Sequence, residues 1–273
     1  MEEYLFLGGD RRIIYAAELI AQGGAVCAEG LCGNFAPPEG RYSRIVLPLP
    51  FSRDGMTINA PFSEKPLPLS LIAEYAAPGA LVLSGGTSPE LEKLCAENGL
   101  RLTDYFAGEE LTLKNAVLTA EGAVSLLISS SDTAIFGAGA LITGYGRIGG
   151  YLARILRDMR CRVTVAARSP IQREKALLDG MCTLPADLAE LAAAGADFVI
   201  NTAPAQLLTE ECFARMRPGT VYMELASKPA EPEKLWAEKA GVRHIMASGL
   251  PGKFSAKTAG EAVAQAIIAA ASV

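Results

Sequence analysis

The chain has 273 residues, of which 50% are hydrophobic and 20% charged, and 25 Lys and Arg against 30 Asp and Glu leave a formal charge of −5. That composition excludes a disordered chain and a disulfide scaffold, and the length suits one large domain or two ordinary ones. A mildly acidic protein with scattered cations is a poor nucleic-acid binder, although a local anion site remains open to it.

The start, Met1 to Tyr4, has no basic region and soon meets Asp10-Arg11-Arg12, so no signal peptide is expected. The longest weakly polar run, Thr133 to Gly146, is too short and too rich in glycine to span a bilayer. The cysteines, at 27, 32, 95, 161, 182 and 212, form no C-x-x-C pair and have no histidine at ligand spacing. They read as buried, reduced thiols in a cytoplasmic protein, with no metal site and no membrane or nucleic-acid partner. His244, the one histidine, reads as structural, and no zinc-hydrolase, serine-hydrolase or P-loop string occurs.

In chain order, Tyr4 to Asp10 reads as a buried strand ended by glycines, and Arg11 to Gln22 as a helix with Ile13, Ile14, Ala17, Leu19 and Ile20 on its apolar face. Ala25–Glu29 and Arg44–Leu49 read as strands. The Pro-rich stretch 50–68 reads as a long loop or small hairpin. Ala80–Ser84 is a strand, and Ser88-Pro89-Glu90 opens a helix with a cap and an N1 proline, running to Gly99. Arg101–Phe106 returns as a strand, and Glu109–Ser130 is one long connecting helix. Beyond it come strands at Ala140–Thr143, Arg162–Ala167, Phe198–Asn201, Thr220–Leu225 and His244–Ala247. Helices at Arg147–Arg160, Pro170–Asp179, Ala186–Ala194, Glu210–Met216, Pro232–Lys239 and Lys257–Ala271 separate and follow them. This alternation predicts an α/β protein of two domains, each a mostly parallel sheet flanked by helices. The expected division is a flavodoxin-like or substrate domain over 1–128 and a Rossmann dinucleotide-binding domain over 129–273, with helix 257–271 able to pack back on the first.

The sharpest motif is Gly144-Tyr145-Gly146-Arg147-Ile148-Gly149. It follows the strand Leu141-Ile142-Thr143 and opens an amphipathic helix, the context a dinucleotide turn requires. Gly144 permits the tight turn, Gly146 lets the backbone approach a pyrophosphate, and Gly149 lets the helix pack close to the strand. The free N–H groups at the helix start then hold the phosphates. Where an acidic residue would bind the ribose of NAD, the second strand ends in Ala167-Arg168-Ser169, with no carboxylate before Glu174. Arg168, Ser169 and Arg173 offer a guanidinium fork, a hydroxyl and a second cation, which predicts NADP (NADPH) as cofactor.

Gly-Tyr-Gly-Arg-Ile-Gly-Gly-Tyr-Leu-Ala-Arg at 144–154 and Val-Thr-Val-Ala-Ala-Arg-Ser at 163–169 resemble the A subunit of dipicolinate synthase. Gly8-Gly9-Asp10-Arg11, Asn115 with Thr119-Ala120-Glu121-Gly122, Asn201-Thr202-Ala203-Pro204, Leu225-Ala226-Ser227-Lys228-Pro229 and Gly249-Leu250-Pro251-Gly252 agree as well. The resemblance implies an NADP-linked oxidation of dihydrodipicolinate, or of its hydrated tetrahydro precursor, to the dipicolinate stored in endospores. It also implies the mother-cell cytoplasm as location and, as partner, a flavoprotein-like B subunit; a second copy of the chain is a further candidate partner.

In an open α/β sheet the ligand lies across the carboxyl ends of the strands. Thr202, Ala203, Pro204, Ala226, Ser227, Gly249 and Leu250 are therefore expected to join the glycine turn around the cofactor. Aromatising a dihydropyridine needs hydride and proton removal, and the two substrate carboxylates need cationic or N–H partners. Lys228, Lys253, Lys257, Arg11 and Asn115 are the candidates for the carboxylates. Lys228, Lys257 and Glu121 are the candidates for catalysis, although a helix carboxylate such as Glu121 is more often solvated. Another amino-acid or shikimate-type NADP dehydrogenase, and a cofactor-binding subunit without turnover of its own, are the alternatives.

Overall fold

The computed structural model describes residues 4–21, 26–29, 40–226 and 231–272. The chain divides into two compact units, Met1–Asn115 with Pro251–Val273, and Ala116–Leu250.

The first unit begins with β1 (Tyr4–Leu7), α1 (Arg11–Ala21), β2 (Val26–Glu29) and β3 (Tyr42–Val46). The Pro-rich stretch forms a small antiparallel pair, β4 (Thr57–Ile58) and β5 (Leu67–Pro68), followed by the short helix α2 (Ser70–Tyr75). Then come β6 (Ala76–Ser84), α3 (Pro89–Glu97), β7 (Arg101–Asp104) and the long α4 (Glu109–Ser129), which continues into the second unit. Ser88 caps α3 by accepting the Leu91 N–H at 3.2 Å, with Pro89 in the first turn where its missing N–H costs nothing. Among the described residues the main sheet has the order β2-β1-β3-β6-β7 with every pairing parallel. That is the flavodoxin-like doubly wound order.

The second unit contains β8 (Gly139–Thr143), α5 (Arg147–Asp158), β9 (Arg162–Ala167), α6 (Pro170–Leu178) and β10 (Cys182–Pro185). A 3-10 turn and α7 (Ala189–Ala193) lead to β11 (Phe198–Asn201), α8 (Glu210–Arg215), β12 (Val221–Glu224), α9 (Glu231–Ala240) and β13 (Arg243–Met246). Among the described residues this sheet runs β10-β9-β8-β11-β12-β13, all parallel, which is the order of a dinucleotide-binding Rossmann sheet.

After β13, α10 (Leu250–Phe254) leads to the last helix, α11 (Ala256–Ala271). This helix packs on α1 within the first unit: Ile13, Ala16, Ala17 and Ile20 share a core with Val263, Ala264 and Ile267. The approach is so close that a Cβ on Gly260 would stand 2.6 Å from the Arg12 carbonyl oxygen.

Helix α4 is long and apolar enough to cross a bilayer by length and composition alone. Ala120, Ala123, Val124 and Leu127, however, are buried in the core of the second unit, as expected of a core helix. Cys95, Cys161 and Cys212 are buried, and desolvation pushes each thiol up to about 11. Cys182 differs from the sequence reading, being exposed on β10, a strand at the edge of the sheet. The side chains of Cys27 and Cys32 lie outside the described residues.

Candidate functional site

Strand order in the second sheet reverses between β8 and β11, so the crevice belongs at their carboxyl ends. A cavity of about 260 Å³ lies there. Gly144, Tyr145 and Gly146 after β8, Ala166 to Arg168 at the end of β9, and Thr202, Ala203 and Pro204 after β11 form its walls, with Gln172 and Leu207.

Two glycines of the motif answer to the protein itself. Gly144 has φ +90°, and a Cβ there would meet the Thr202 hydroxyl at 2.9 Å. A Cβ on Gly149 would stand 2.6 Å from the Gly144 carbonyl oxygen. Gly146 is different. Its φ is −81°, which any residue adopts, and a Cβ there would enter open space. It caps α5 without a side-chain hydrogen bond, so the helix start presents bare backbone to the cavity. The residues present thus fit a dinucleotide diphosphate.

Tyr145 and Ile148 of the motif also have structural duties. Tyr145 is buried and its hydroxyl donates to Asp179 at 2.5 Å, where Arg154 also donates at 3.0 Å. Burial first, and then the Asp179 carboxylate, push the Tyr145 phenol up to about 12, so it stays protonated. Arg147 is exposed at the start of α5, and Ile148 packs against the core.

At the end of β9, Arg168 is exposed on the cavity wall, and among the described residues its guanidinium has no hydrogen-bond or ion-pair partner. Its neighbours are engaged. The Ser169 hydroxyl caps α6, accepting the Gln172 N–H at 3.4 Å, and Arg173 donates to the carbonyls of Ala167 and Arg168 at 2.7 and 2.9 Å. A second hollow of about 390 Å³ shares Arg168 and Leu207 with the first and adds Arg173, Asp187 and Gln206.

The other expected residues are placed as follows. Thr202 donates to the Thr143 carbonyl at 2.7 Å, tying β11 to β8. Ala226 is half-buried, while Ser227 and Lys228 lie outside the described residues. Gly249 is an exposed turn residue with φ +64°; Leu250 is a core residue, 1% exposed; neither lines the cavity. Arg11, Asn115, Lys253 and Lys257 belong to the first unit, where Arg11, Lys253 and Lys257 are exposed. Beside Arg11 it is Arg12 that is buried, clamped on Asp10 at 2.8 Å and bonded to the Leu49 carbonyl. Glu121 is exposed on α4. A further hollow of about 390 Å³ in the first unit, along α4 and α11, is walled by alanines of α11 and by Leu111, Glu110 and Lys114 of α4, the last of these a neighbour of Asn115.

Sequence reading missed the polar network beneath the cavity. Asn201 at the end of β11 accepts from the Thr143 hydroxyl at 2.5 Å and from the Ala203 N–H at 3.1 Å, and donates to Glu224 at 2.9 Å. A glutamate closing the apolar strand Val-Tyr-Met-Glu was the available signal, since a buried carboxylate needs partners.

Two family models cover most of this architecture. Residues 3–106 match the N-terminal domain of the dipicolinate synthase A subunit, and residues 126–229 match the NAD-binding domain of D-isomer specific 2-hydroxyacid dehydrogenases. The dipicolinate synthase A subunit of Bacillus subtilis is 28% identical over 231 residues, 84% of this chain and 78% of that one. Over most of its length the chain is similar to the A subunit of dipicolinate synthase. The crystal structure of the Bacillus subtilis protein superposes with a TM-score of 0.80 at 26% identity, over 97% of this chain and 93% of that one. The structure of the Bacillus halodurans A subunit, at 24% identity, shares the fold with a TM-score of 0.84 over 98% and 97% of the two chains. With this similarity, the second unit is a nicotinamide-dinucleotide-binding domain of the dehydrogenase type.

Proposed function

We propose that the chain is the NADP-linked oxidoreductase subunit that forms dipicolinate from dihydrodipicolinate or its hydroxylated tetrahydro precursor. It would work in the cytoplasm of a sporulating mother cell beside a flavoprotein-like B subunit. The observation that carries the NADP assignment is Arg168. It stands on the cavity wall at the end of β9, unpartnered among the described residues, where an NAD enzyme places a carboxylate. A guanidinium there offers two parallel, charge-assisted donors to a 2′-phosphate and only weaker hydrogen bonds to the neutral oxygens of a bare ribose hydroxyl pair. The backbone at Gly144 to Gly146 and the wall Thr202–Pro204 would hold the rest of the dinucleotide, which supplies a hydride acceptor when bound.

Aromaticity drives the oxidation, so the protein's part is to place the dihydropyridine, fix its two carboxylates and let a proton leave. Lys253 and Lys257, exposed on α10 and α11, and Lys228 are the proposed carboxylate partners, with Lys228 or Lys257 next to the departing proton. Arg11 and Asn115 are further proposed carboxylate partners, and Glu121 a further candidate for catalysis.

The assay is freshly generated dihydrodipicolinate with NADP⁺ and purified protein, with and without a B subunit, following NADPH and dipicolinate together. Turnover by the chain supports the proposal; nucleotide binding without turnover under every condition would reduce it to a cofactor-binding subunit. Binding separates the nucleotides: NADPH should bind wild type at least about tenfold more tightly than NADH, and Arg168→Glu should reverse the order. Equal wild-type affinities would defeat the NADP assignment.

A further inference from the structure

The second unit buries two carboxyl groups that cofactor binding alone does not explain. Glu224 ends β12 and Glu233 stands in the first turn of α9, each only 1% exposed. One Glu224 oxygen accepts the Ala226 N–H at 2.7 Å. The other accepts the Asn201 amide at 2.9 Å and faces the Tyr222 hydroxyl at 3.2 Å. Glu233 Oε2 faces the same hydroxyl through a very short contact, and its Oε1 has no hydrogen-bond partner among the described residues.

Hydrogen counting decides the charge. A phenol has one proton and can donate to only one of the two carboxyls that face it. Two anions around it would need a cation, and among the described residues none is supplied. Asn201 of β11 is neutral, and Phe213 of α8 packs edge-on against Tyr222. His244 of β13 stacks on Tyr222 at 5.7 Å and is held below its usual range by burial and by Lys234. Lys234 and Glu238 of α9 act on that imidazole and make no ion pair with either carboxyl. Among the described residues no salt bridge reaches Glu224 or Glu233. Desolvation raises both groups, Glu233 to about 7.

We infer that Glu224 and Glu233 hold a single proton between them, carried on Glu233, and that the Glu224 carboxylate thereby positions Asn201 and the cavity walls at Thr143 and Ala203. Asn201 can accept from Thr143 and Ala203 only while its NH₂ points away, and the charged Glu224 acceptor fixes that orientation. Glu224 and Glu233 are positioning residues, not catalytic ones. The second half of the inference rests on the cofactor reading; the shared proton does not.

The proton is tested without nucleotide. Infrared spectra of the wild-type chain near neutral pH should show the carbonyl band of a protonated, buried carboxyl, absent from Glu233→Gln. Folding should also take up a proton. Glu233 ionises near 4.5 when unfolded and near 7 when folded, so its contribution to wild-type stability falls as pH rises across that window. Glu233→Gln should flatten that fall. A spectrum without the band, or an unchanged slope in Glu233→Gln, would overturn the shared proton. Glu224→Gln leaves the Asn201 amide and the Ala226 N–H competing for one oxygen. It should weaken NADPH about tenfold while the NADPH-to-NADH ratio, set elsewhere, stays at its wild-type value. Wild-type NADPH affinity in Glu224→Gln would overturn the positioning role. A wild-type chain that binds neither nucleotide would fail the cofactor reading, and the band and the slope would still decide the proton.

Discussion

Three glycines of one motif make separable demands. Gly149 has no room for a Cβ because the Gly144 carbonyl oxygen lies 2.6 Å from where it would stand, and that oxygen belongs to backbone that cannot step aside. Gly149→Ala should therefore cost about 1 to 3 kcal/mol of stability, read as a lowered thermal midpoint without nucleotide. Gly146→Ala meets nothing within 4 Å and needs no unusual φ. It should cost less than about 1 kcal/mol, chiefly because alanine is a poor helix cap, while weakening NADPH at least about tenfold by filling the diphosphate's approach. A Gly146→Ala protein with intact nucleotide affinity would show that the phosphates lie elsewhere. The motif's glycines were legible because turn and close approach leave few alternatives to glycine. What Ser169 and Arg173 do was not: both suit a phosphate by residue type, but the Ser169 hydroxyl caps α6 and Arg173 binds the carbonyls that end β9. Capping and carbonyl contacts depend on where the strand stops, which residue type does not encode.

Elements with a strong period were readable, and short ones were not. The helix over 147–158 and the strands at 162–167 and 198–201 follow from amphipathic spacing and from apolar runs bounded by turns. The sequence reading missed α2, β10 and α10 for three physical reasons. Helix α2 has six residues at the end of a Pro-rich stretch, too few for a period. Strand β10, Cys-Thr-Leu-Pro, lies at the sheet edge and lacks a fully buried apolar face. Helix α10, Leu-Pro-Gly-Lys-Phe, contains the two residues that usually end a helix, with Pro251 near its start where the lost N–H is harmless. The last helix, by contrast, shows what an element contributes by packing. Ile267 is fully buried against the α1 core, so Ile267→Ala should destabilise by about 2 to 5 kcal/mol. Ile128, on α4, is 55% exposed, and Ile128→Ser should stay within about 0.5 kcal/mol. Denaturant midpoints at constant m-value would read both; equal losses would mean that these burial assignments are wrong.

Both sheets obey the same rule: strands that must pair in parallel need helical crossovers, and right-handed crossovers leave a crevice where strand order turns back. The alternation of the sequence therefore carried the fold class. It left the last helix only able to pack back on the first domain and did not fix that return, because the pairing joins α11 to α1 across almost the whole chain and no local signal specifies it. Each unit has cores of its own, and this has a measurable consequence for ligand binding. A nucleotide that binds only the folded second unit raises its opening free energy by RT ln(1 + [L]/Kd), about 2.7 kcal/mol at a hundredfold excess over Kd. Native-state hydrogen exchange with saturating NADPH should show that increment in the slowest amides of β8, β9 and β11, whose side chains share the second unit's cores. Amides of β1, β3 and β6, whose side chains fill separate cores, should gain much less, because their opening does not require the nucleotide to leave. An equal gain in both sheets would mean that the chain unfolds as one cooperative body, and that the two cores, though built from separate residues, are lost together.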